Sequence, residues 1–307
     1  KRHDIQLFER HLEDNLFALH KTLANKTYRH GTYQSFYVQD PKQRHIHKAT
    51  VVDRVVHHLL YNYLYELFDK TFIFDSFSCR LNKGTHKGVN RLEVFTKRAS
   101  SNYTRPSWVL KCDIKEFFAS VDHKILLHLI KQKVKAKDIL WLLNQVIKSF
   151  HSEKGRDKGM PLGNLTSQIF SNIYLNELDQ FVKHTLKFRC YLRYADDFLL
   201  LSSSKDGLVQ QVWKLRAFLQ HKLRLKLHPQ KIIIRPFHWG IDFLGYVVLP
   251  YCRLPRTKTK RRMFKKLQEK VHEDSFKQSY QSYLGYLKHA NSYKIQQQLR
   301  NTTWFLK

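Results

Sequence analysis

Metal-binding cysteine patterns are missing from this sequence. Its four cysteines, Cys79, Cys112, Cys190 and Cys252, stand far apart and form no CxxC, and its eighteen histidines make no zinc-ligand spacing. Both absences speak against structural zinc and a disulfide framework. Pairs such as His45 and His47, or His57 and His58, read as ordinary polar or packing residues. Nowhere do 18 apolar residues run together, and the amino end has no signal-like segment, so no membrane association is expected. The expectation is a soluble, cytoplasmic protein. Internal repeats and long disordered tracts are lacking too. Acidic side chains are scarce: 25 Asp and Glu stand against 55 Lys and Arg in 307 residues, a formal charge of +30. Self-repulsion on that scale calls for a polyanionic partner, nucleic acid first of all, or for compensating folding energy. A hydrophobic fraction of 42% supplies real cores, and the length allows one large core or two to three lobes.

Apolar spacing predicts amphipathic helices over 5–23 and 54–69. Between them Phe36 to Val38 reads as a short strand, and DPKQR as the turn to a second extended stretch. WVLKCDI, from Trp108, is a run of strand formers followed by a helical segment to about Ile130. A helix over 138–150, the glycine-punctuated loop EKGRDKGMPLGN and a long helix with Thr166 or Ser167 near its start come next. RCYLRY and FLLLS form a hairpin around Ala195 to Asp197. A helix over 206–222 and strands at Lys231 to Arg235 and Ile241 to Val248 complete an α+β pattern, helices behind an antiparallel sheet. Residues 253–266 hold eight basic side chains and no acid, which reads as a linker to a last helical lobe.

YADD places two adjacent acids on a tight turn bracketed by apolar strands, where charge is costly unless a cation compensates it. Asp113, at the end of another buried strand, supplies a third carboxylate. Hard oxygen ligands of this kind suit magnesium that keeps waters and substrate phosphates. Two such ions can activate a primer 3′-hydroxyl and stabilise a leaving pyrophosphate in an in-line displacement. Taken alone, a DD pair is more often a solvated surface turn.

Its neighbours change that balance. LKCDIKEFF resembles the first palm motif of reverse transcriptases, MPLGNLTSQIFSNIYLNELD the second and YADD the third. IDFLGY resembles the primer grip. DPKQRHIHKATVVDRVVHHLL and FDSFSCRLNKGTHKGVNRL are similar to the finger motifs of bacterial retroelement polymerases, and SYLGYLKHANSY to their thumb. The resemblance implies a right-hand polymerase: amino-terminal helix and fingers in 1–105, palm in 106–250, and a basic linker with a short helical thumb in 251–307. It implies an RNA-directed DNA polymerase acting through two magnesium ions, with manganese able to substitute, held by Asp113, Asp196, Asp197 and the backbone of Ile114. Lys42 and Arg44 match finger residues that grip the incoming triphosphate; Arg80 and Lys83 match a finger element near template or nucleotide. Phe118 matches the steric gate against a ribose 2′-hydroxyl, with Phe117 as its core neighbour. Leu162 stands where many relatives have glutamine, Gly163 permits close backbone approach, and Gln168 replaces the usual proline. Lys231 resembles a lysine that protonates pyrophosphate. Phe243, Leu244 and Gly245 match the primer grip, and Lys258, Lys260, Arg261 and Arg262 form a basic run for template and primer.

Group II intron and retron enzymes usually carry QGxxxSP where this chain has LGNLTSQ, a departure resembling the reverse transcriptases of diversity-generating retroelements. That subfamily implies a prokaryotic or phage-encoded enzyme that copies a structured template RNA, makes errors at adenines and works with a multimeric accessory variability protein. Glu9, Glu13 and Asp14 are the candidate acidic patch for that partner. Defence-associated, retron and group II intron-type enzymes are the alternatives, as is a catalytically inactive RNA-binding scaffold. No RNase H or endonuclease domain is expected beyond the thumb.

Overall fold

A computed structural model describes residues 3–39, 42–271, 273 and 275–304. Two helices open the chain, His3–Arg10 (α1) and Leu12–Ala24 (α2). The spacing alone predicted one helix over 5–23. His11 breaks it at φ −123° and ψ 46°, and Asn15 spans the break by donating Nδ2 to the Phe8 carbonyl at 3.0 Å. Gln34–Gln39 (β1) and Gln43–Lys48 (β2) then pair antiparallel, with Phe36 opposite Ile46 and Val38 opposite Arg44. Asp40 and Pro41 of the expected turn lie outside the described residues. Val51–Phe68 (α3) starts where the Thr50 hydroxyl accepts from the Asp53 N–H at 3.2 Å. Thr85–Ala99 (α4) precedes Trp108–Asp113 (β3).

The helix expected from there to Ile130 is two, Phe117–Ser120 (α5) and His123–Lys133 (α6). Asp122 starts the second by accepting from the Lys124 and Ile125 N–H groups. Lys137–Lys148 (α7) and Leu165–Gln180 (α8) follow. Thr166 and Ser167 do lie in the first turn of α8, after Asn164, and their hydroxyls turn inward, Thr166 to His57 and Ser167 to the Pro161 carbonyl. Next come Tyr191–Tyr194 (β4), Asp197–Ser202 (β5), Lys205–Leu223 (α9) and Ile233–Pro236 (β6). Lys231 closes a short 3-10 turn rather than opening that strand. The single strand expected at Ile241 to Val248 is a hairpin, Ile241–Phe243 (β7) and Tyr246–Leu249 (β8), extended by Cys252–Pro255 (β9). Leu244 (φ 50°) and Gly245 (φ 92°) make its two-residue turn, which needs positive φ at both places. The basic stretch is likewise no linker, since β9 and Thr257–Glu269 (α10) occupy it before Phe276–Leu287 (α11) and Tyr293–Trp304 (α12).

Contacts divide the chain into two units. The first comprises Lys1–Phe74, Asp113–Lys187 and Lys214–Gln230. Its centre is α8, buried nearly all round, against which α3 lays Val56, Leu60 and Leu64. The second comprises Asp75–Cys112, Phe188–Trp213 and Lys231–Lys307. Its core joins Val89, Leu92 and Phe95 of α4 to Val109, Leu192, Leu199, Phe243 and Tyr246 of the strands. The sheet order is β4-β5-β3-β6, beside a three-stranded β7-β8-β9 sheet. A satellite core of Met263, Leu267, Leu287 and Leu299 holds α10, α11 and α12 together.

Candidate active site

In the second unit, Tyr194 pairs with Asp197, leaving Ala195 and Asp196 as a two-residue turn. Ala195 adopts φ 53° to close it. Apolar residues on both strands bury the hairpin, so Asp196 and Asp197 emerge half-buried at its end. Behind the turn Arg193 is fully buried, and its guanidinium donates to the Ala195 carbonyl at 3.0 Å and to Ser76 Oγ at 3.1 Å. The segment before α4 runs beside β4, with Arg193 N–H donating to the Asp75 carbonyl and Phe77 N–H to the Arg193 carbonyl, both at 2.9 Å. Arg80 reaches back to the Ser76 carbonyl at 3.1 Å, and the Lys83 ammonium lies 5.2 Å from the Phe77 ring centre. This loop therefore runs beside the strand that leads into the two acids.

Asp113 is the last residue of β3, which neighbours β5 in the sheet. Lys111, two residues earlier on the same face, places Nζ 3.1 Å from Asp197 Oδ2 and donates to the Asp242 carbonyl at 2.8 Å. A cation thus already balances one acid of the pair. Lys111, Lys231, Arg235, Asp242 and Arg256 line a cleft of about 330 Å³, with Arg256 paired to Asp242 at 2.6 Å. Phe243 is fully buried and holds the β7–β8 turn from below. Leu244 and Gly245 present the turn itself. Tyr286 of α11 donates its hydroxyl to the Gly245 carbonyl at 2.5 Å, stacks on Tyr246 at 4.7 Å and accepts the Tyr246 hydroxyl on its own carbonyl at 2.9 Å. Burial pushes the Tyr246 hydroxyl pKa upward, which keeps that donor protonated. On α10, Lys258 and Arg261 are exposed, while Lys260 and Arg262 flank the side that buries Met263.

The first unit gathers the nucleotide-side candidates other than Lys231. Ile114 bridges Leu227, and the bonds of that bridge run from His228 N–H to the Asp113 carbonyl and from Lys115 N–H to the Lys226 carbonyl, both at 2.8 Å. Ile114 therefore directs its own carbonyl away from Leu227. Phe117 is buried at 6.3 Å from Tyr174, whereas Phe118 keeps part of its ring exposed. Met160 N–H donates to the Phe118 carbonyl at 2.8 Å, and His47 N–H to the Leu162 carbonyl at 3.0 Å. Asn164 completes the joint, donating Nδ2 to the His47 carbonyl at 2.7 Å and accepting from Ala49 N–H at 3.3 Å. Gly163, at φ 109°, lies so close to Ile46 that an added Cβ would meet its methyl at 2.8 Å. The β1–β2 hairpin carrying exposed Lys42 and Arg44 is thereby fastened to Leu162 and Gly163; Gln168 is exposed on α8. Thr166 accepts the same kind of inward support from His57, 2.7 Å away. Burial, then the neighbouring His30, lower the His57 pKa to about 4.

Among the described residues, no three His, Cys, Asp or Glu side chains gather closely enough to cage an ion by themselves. Magnesium seldom asks for that, because it is held by one or two carboxylates plus waters and substrate phosphates. Acids at strand ends, one of them already drawing an ammonium, are a donor set that fits it.

The reverse transcriptase (RNA-dependent DNA polymerase) family profile matches residues 39–248, from the end of β1 to β8. The chain belongs to the reverse transcriptase family. Among curated relatives, this reverse transcriptase-family chain is 24% identical to Protein YkfC of Escherichia coli (strain K12), covering 63% of the chain and 60% of that protein. It is 22% identical to the group II intron-encoded protein LtrA of Lactococcus lactis subsp. cremoris, covering 76% of the chain and 49% of that protein. It thus spans half to three-fifths of these relatives. A Candida albicans telomerase structure in complex with a TWJ fragment of telomeric RNA superposes at TM-score 0.57 with 11% identity, covering 92% of the chain and 61% of the telomerase. Apo telomerase from Candida tropicalis, truncated from its C-terminal domain, gives 0.55 with 15% identity over 75% and 55%. These likenesses show the fold, α+β of the right-hand polymerase class. Lys111, Arg193, Asn164 and Tyr286 are supporting residues that motif reading missed. Arg193 and Lys111 carried a visible signal, each a charge inside a strand run rich in apolar residues.

Proposed function

We propose that this chain copies a structured template RNA into cDNA by two-metal nucleotidyl transfer, with low fidelity at template adenines, as part of a diversity-generating retroelement. The observation carrying the polymerase reading is the Asp196–Asp197 turn on β4–β5 with Asp113 ending the neighbouring strand, within a family-matched span. Asp113, Asp196, Asp197 and the Ile114 carbonyl would hold two magnesium or manganese ions, which supply activation of the primer hydroxyl and charge neutralisation of the phosphates. Lys42 and Arg44 grip the triphosphate from the hairpin, Phe118 meets the sugar, and Lys231 serves the leaving pyrophosphate. Arg80, Lys83, Leu244, Gly245 and the cations of α10 hold template and primer.

The subfamily reading rests on Leu162 and the LGNLTSQ segment. A branched aliphatic side chain cannot donate the hydrogen bond a glutamine would offer the incoming nucleotide, so pairing geometry is checked less tightly. The accessory multimer would dock on α1 and α2, where Glu13 and Asp14 are exposed beside Leu16 and Phe17. The likeness to LtrA favours a second reading, a group II intron-type enzyme. Sequencing cDNA made on the co-encoded RNA by wild type and by Leu162→Gln, with and without the accessory protein, separates the two. Errors concentrated at adenines in the wild type and reduced in Leu162→Gln are expected. Equal, low error rates in every arm would remove the diversity-generating reading and leave the polymerase.

A further inference from the structure

Two tyrosines outside every family motif sit on left-handed backbone in one corner of the second unit. Tyr251, in the turn from β8 to β9, has φ 62°; Tyr103, after α4, has φ 68° and follows Ser101 and Asn102 at 50° and 60°. Bulky L-residues avoid this region, and such a backbone persists where the surroundings impose it. Packing accounts for Tyr103, whose ring stacks on Phe237 at 5.8 Å. Tyr251 owes its φ to the two-residue turn it shares with Pro250 between the paired Leu249 and Cys252, yet its ring is 79% exposed and meets Tyr103 edge-on at 4.7 Å and 68°.

The pair borders a cleft of about 410 Å³, within the range of small-ligand sites. Lys97 from the last turn of α4 and Lys288 from the end of α11 line it, both exposed. Its floor is Arg253, 8% exposed, whose guanidinium is spent on Glu93 Oε1 at 2.8 Å, Asn90 Oδ1 at 2.6 Å and the His289 carbonyl at 3.1 Å. That floor neutralises the one carboxylate of the cleft. What remains for a ligand is an open aromatic face with a cation from each of two elements.

We propose that this cleft receives an unpaired nucleotide of a single-stranded RNA segment, its base stacked on Tyr251 and its flanking phosphates held by Lys97 and Lys288. Stacking on a tyrosine ring tolerates any base, and cations on separate elements suit a strand crossing the cleft better than a single phosphate. The proposal rests on the reading that the chain handles RNA, but it concerns a surface apart from the aspartates.

Fluorescence anisotropy with a short, unstructured, labelled RNA tests it. Tyr251→Ala should weaken binding about 5- to 150-fold, the range for losing one base–aromatic stack, Tyr251→Trp should retain it, and Lys97→Ala with Lys288→Ala should weaken it and lower its salt dependence. Binding by Tyr251→Ala within about twofold of wild type would overturn the proposal. So would AMP displacing the RNA at concentrations equal to the RNA's own, which would make this a mononucleotide site. Extension of a short pre-annealed primer–template is read in parallel: Tyr251→Ala should extend it like wild type, and a loss as deep as that of an aspartate variant would move Tyr251 into catalysis and sink the idea. If the wild type itself fails to extend, the polymerase reading falls while the binding comparison still stands. Tyr251→Gly, which relieves the positive φ, should raise the thermal midpoint while binding RNA as weakly as Tyr251→Ala. A lowered midpoint would make Tyr251 a packing residue and refute its role.

Discussion

At Asp196 and Asp113 a single oxygen-to-nitrogen change removes charge without changing size, and that separates chemistry from binding. Asp196→Asn or Asp113→Asn should lower primer extension by about a thousandfold or more, because metal-borne stabilisation is worth several kcal/mol. RNA affinity should stay within about twofold, since the basic surface is untouched. Either variant extending a primer normally with magnesium would end the assignment. The two adjacent phenylalanines divide differently: Phe117 is core, while Phe118 leaves part of its ring outside it. If that ring meets the sugar at its 2′ position, Phe118→Ala should admit ribonucleotides. The check is the ratio of ribo- to deoxyribonucleotide incorporation, and no rise would reduce Phe118 to packing.

Among the elements, α3 and α8 are joined by a buried polar chain in which His57 faces Thr166 at 2.7 Å and His30 at 3.1 Å, and Asp53 takes the Tyr28 hydroxyl at 2.6 Å. His57 stays neutral in the folded state down to about pH 4, against an ordinary value of 6.5. Between those values the unfolded chain takes up a proton that the folded chain refuses, so stability falls as pH falls, by on the order of 3 kcal/mol across the window. Urea unfolding from pH 7 to pH 4 measures the slope, and His57→Asn, which keeps a polar partner for Thr166, should flatten it. An undiminished slope would place the titration elsewhere. None of this network was legible in the sequence, because histidines in a helix of apolar spacing look like ordinary packing. The strands and the acids on them were legible, since YADD between apolar runs and Asp113 after another run declare themselves locally. Turn chemistry was not: the β7–β8 hairpin depends on a positive φ at Leu244, which no residue preference announces, and Asn164 works through a hairpin more than a hundred positions away.

For the whole molecule the governing quantity is a formal charge of +30. No helix among the described residues is long and apolar enough to cross a membrane. A charge of this size favours binding to polyanions and opposes compaction by self-repulsion. Each phosphate neutralised on a single strand contributes about −0.7 to the slope of log K against log salt. The run Lys258, Lys260, Arg261 and Arg262 lies on α10, which turns Met263 and Leu267 inward and sends Lys258 and Arg261 outward. Neutralising the two outward cations should therefore flatten the RNA-binding slope by about 1.4 if each meets one phosphate. Adding Lys260→Gln and Arg262→Gln should change it less, because those side chains are half-turned to the core. Anisotropy titrations at several salt concentrations give the slopes directly. If the double variant binds with the wild-type slope, the outer face of α10 is merely solvated, and the electrostatic hold on RNA must come from cations elsewhere in the chain.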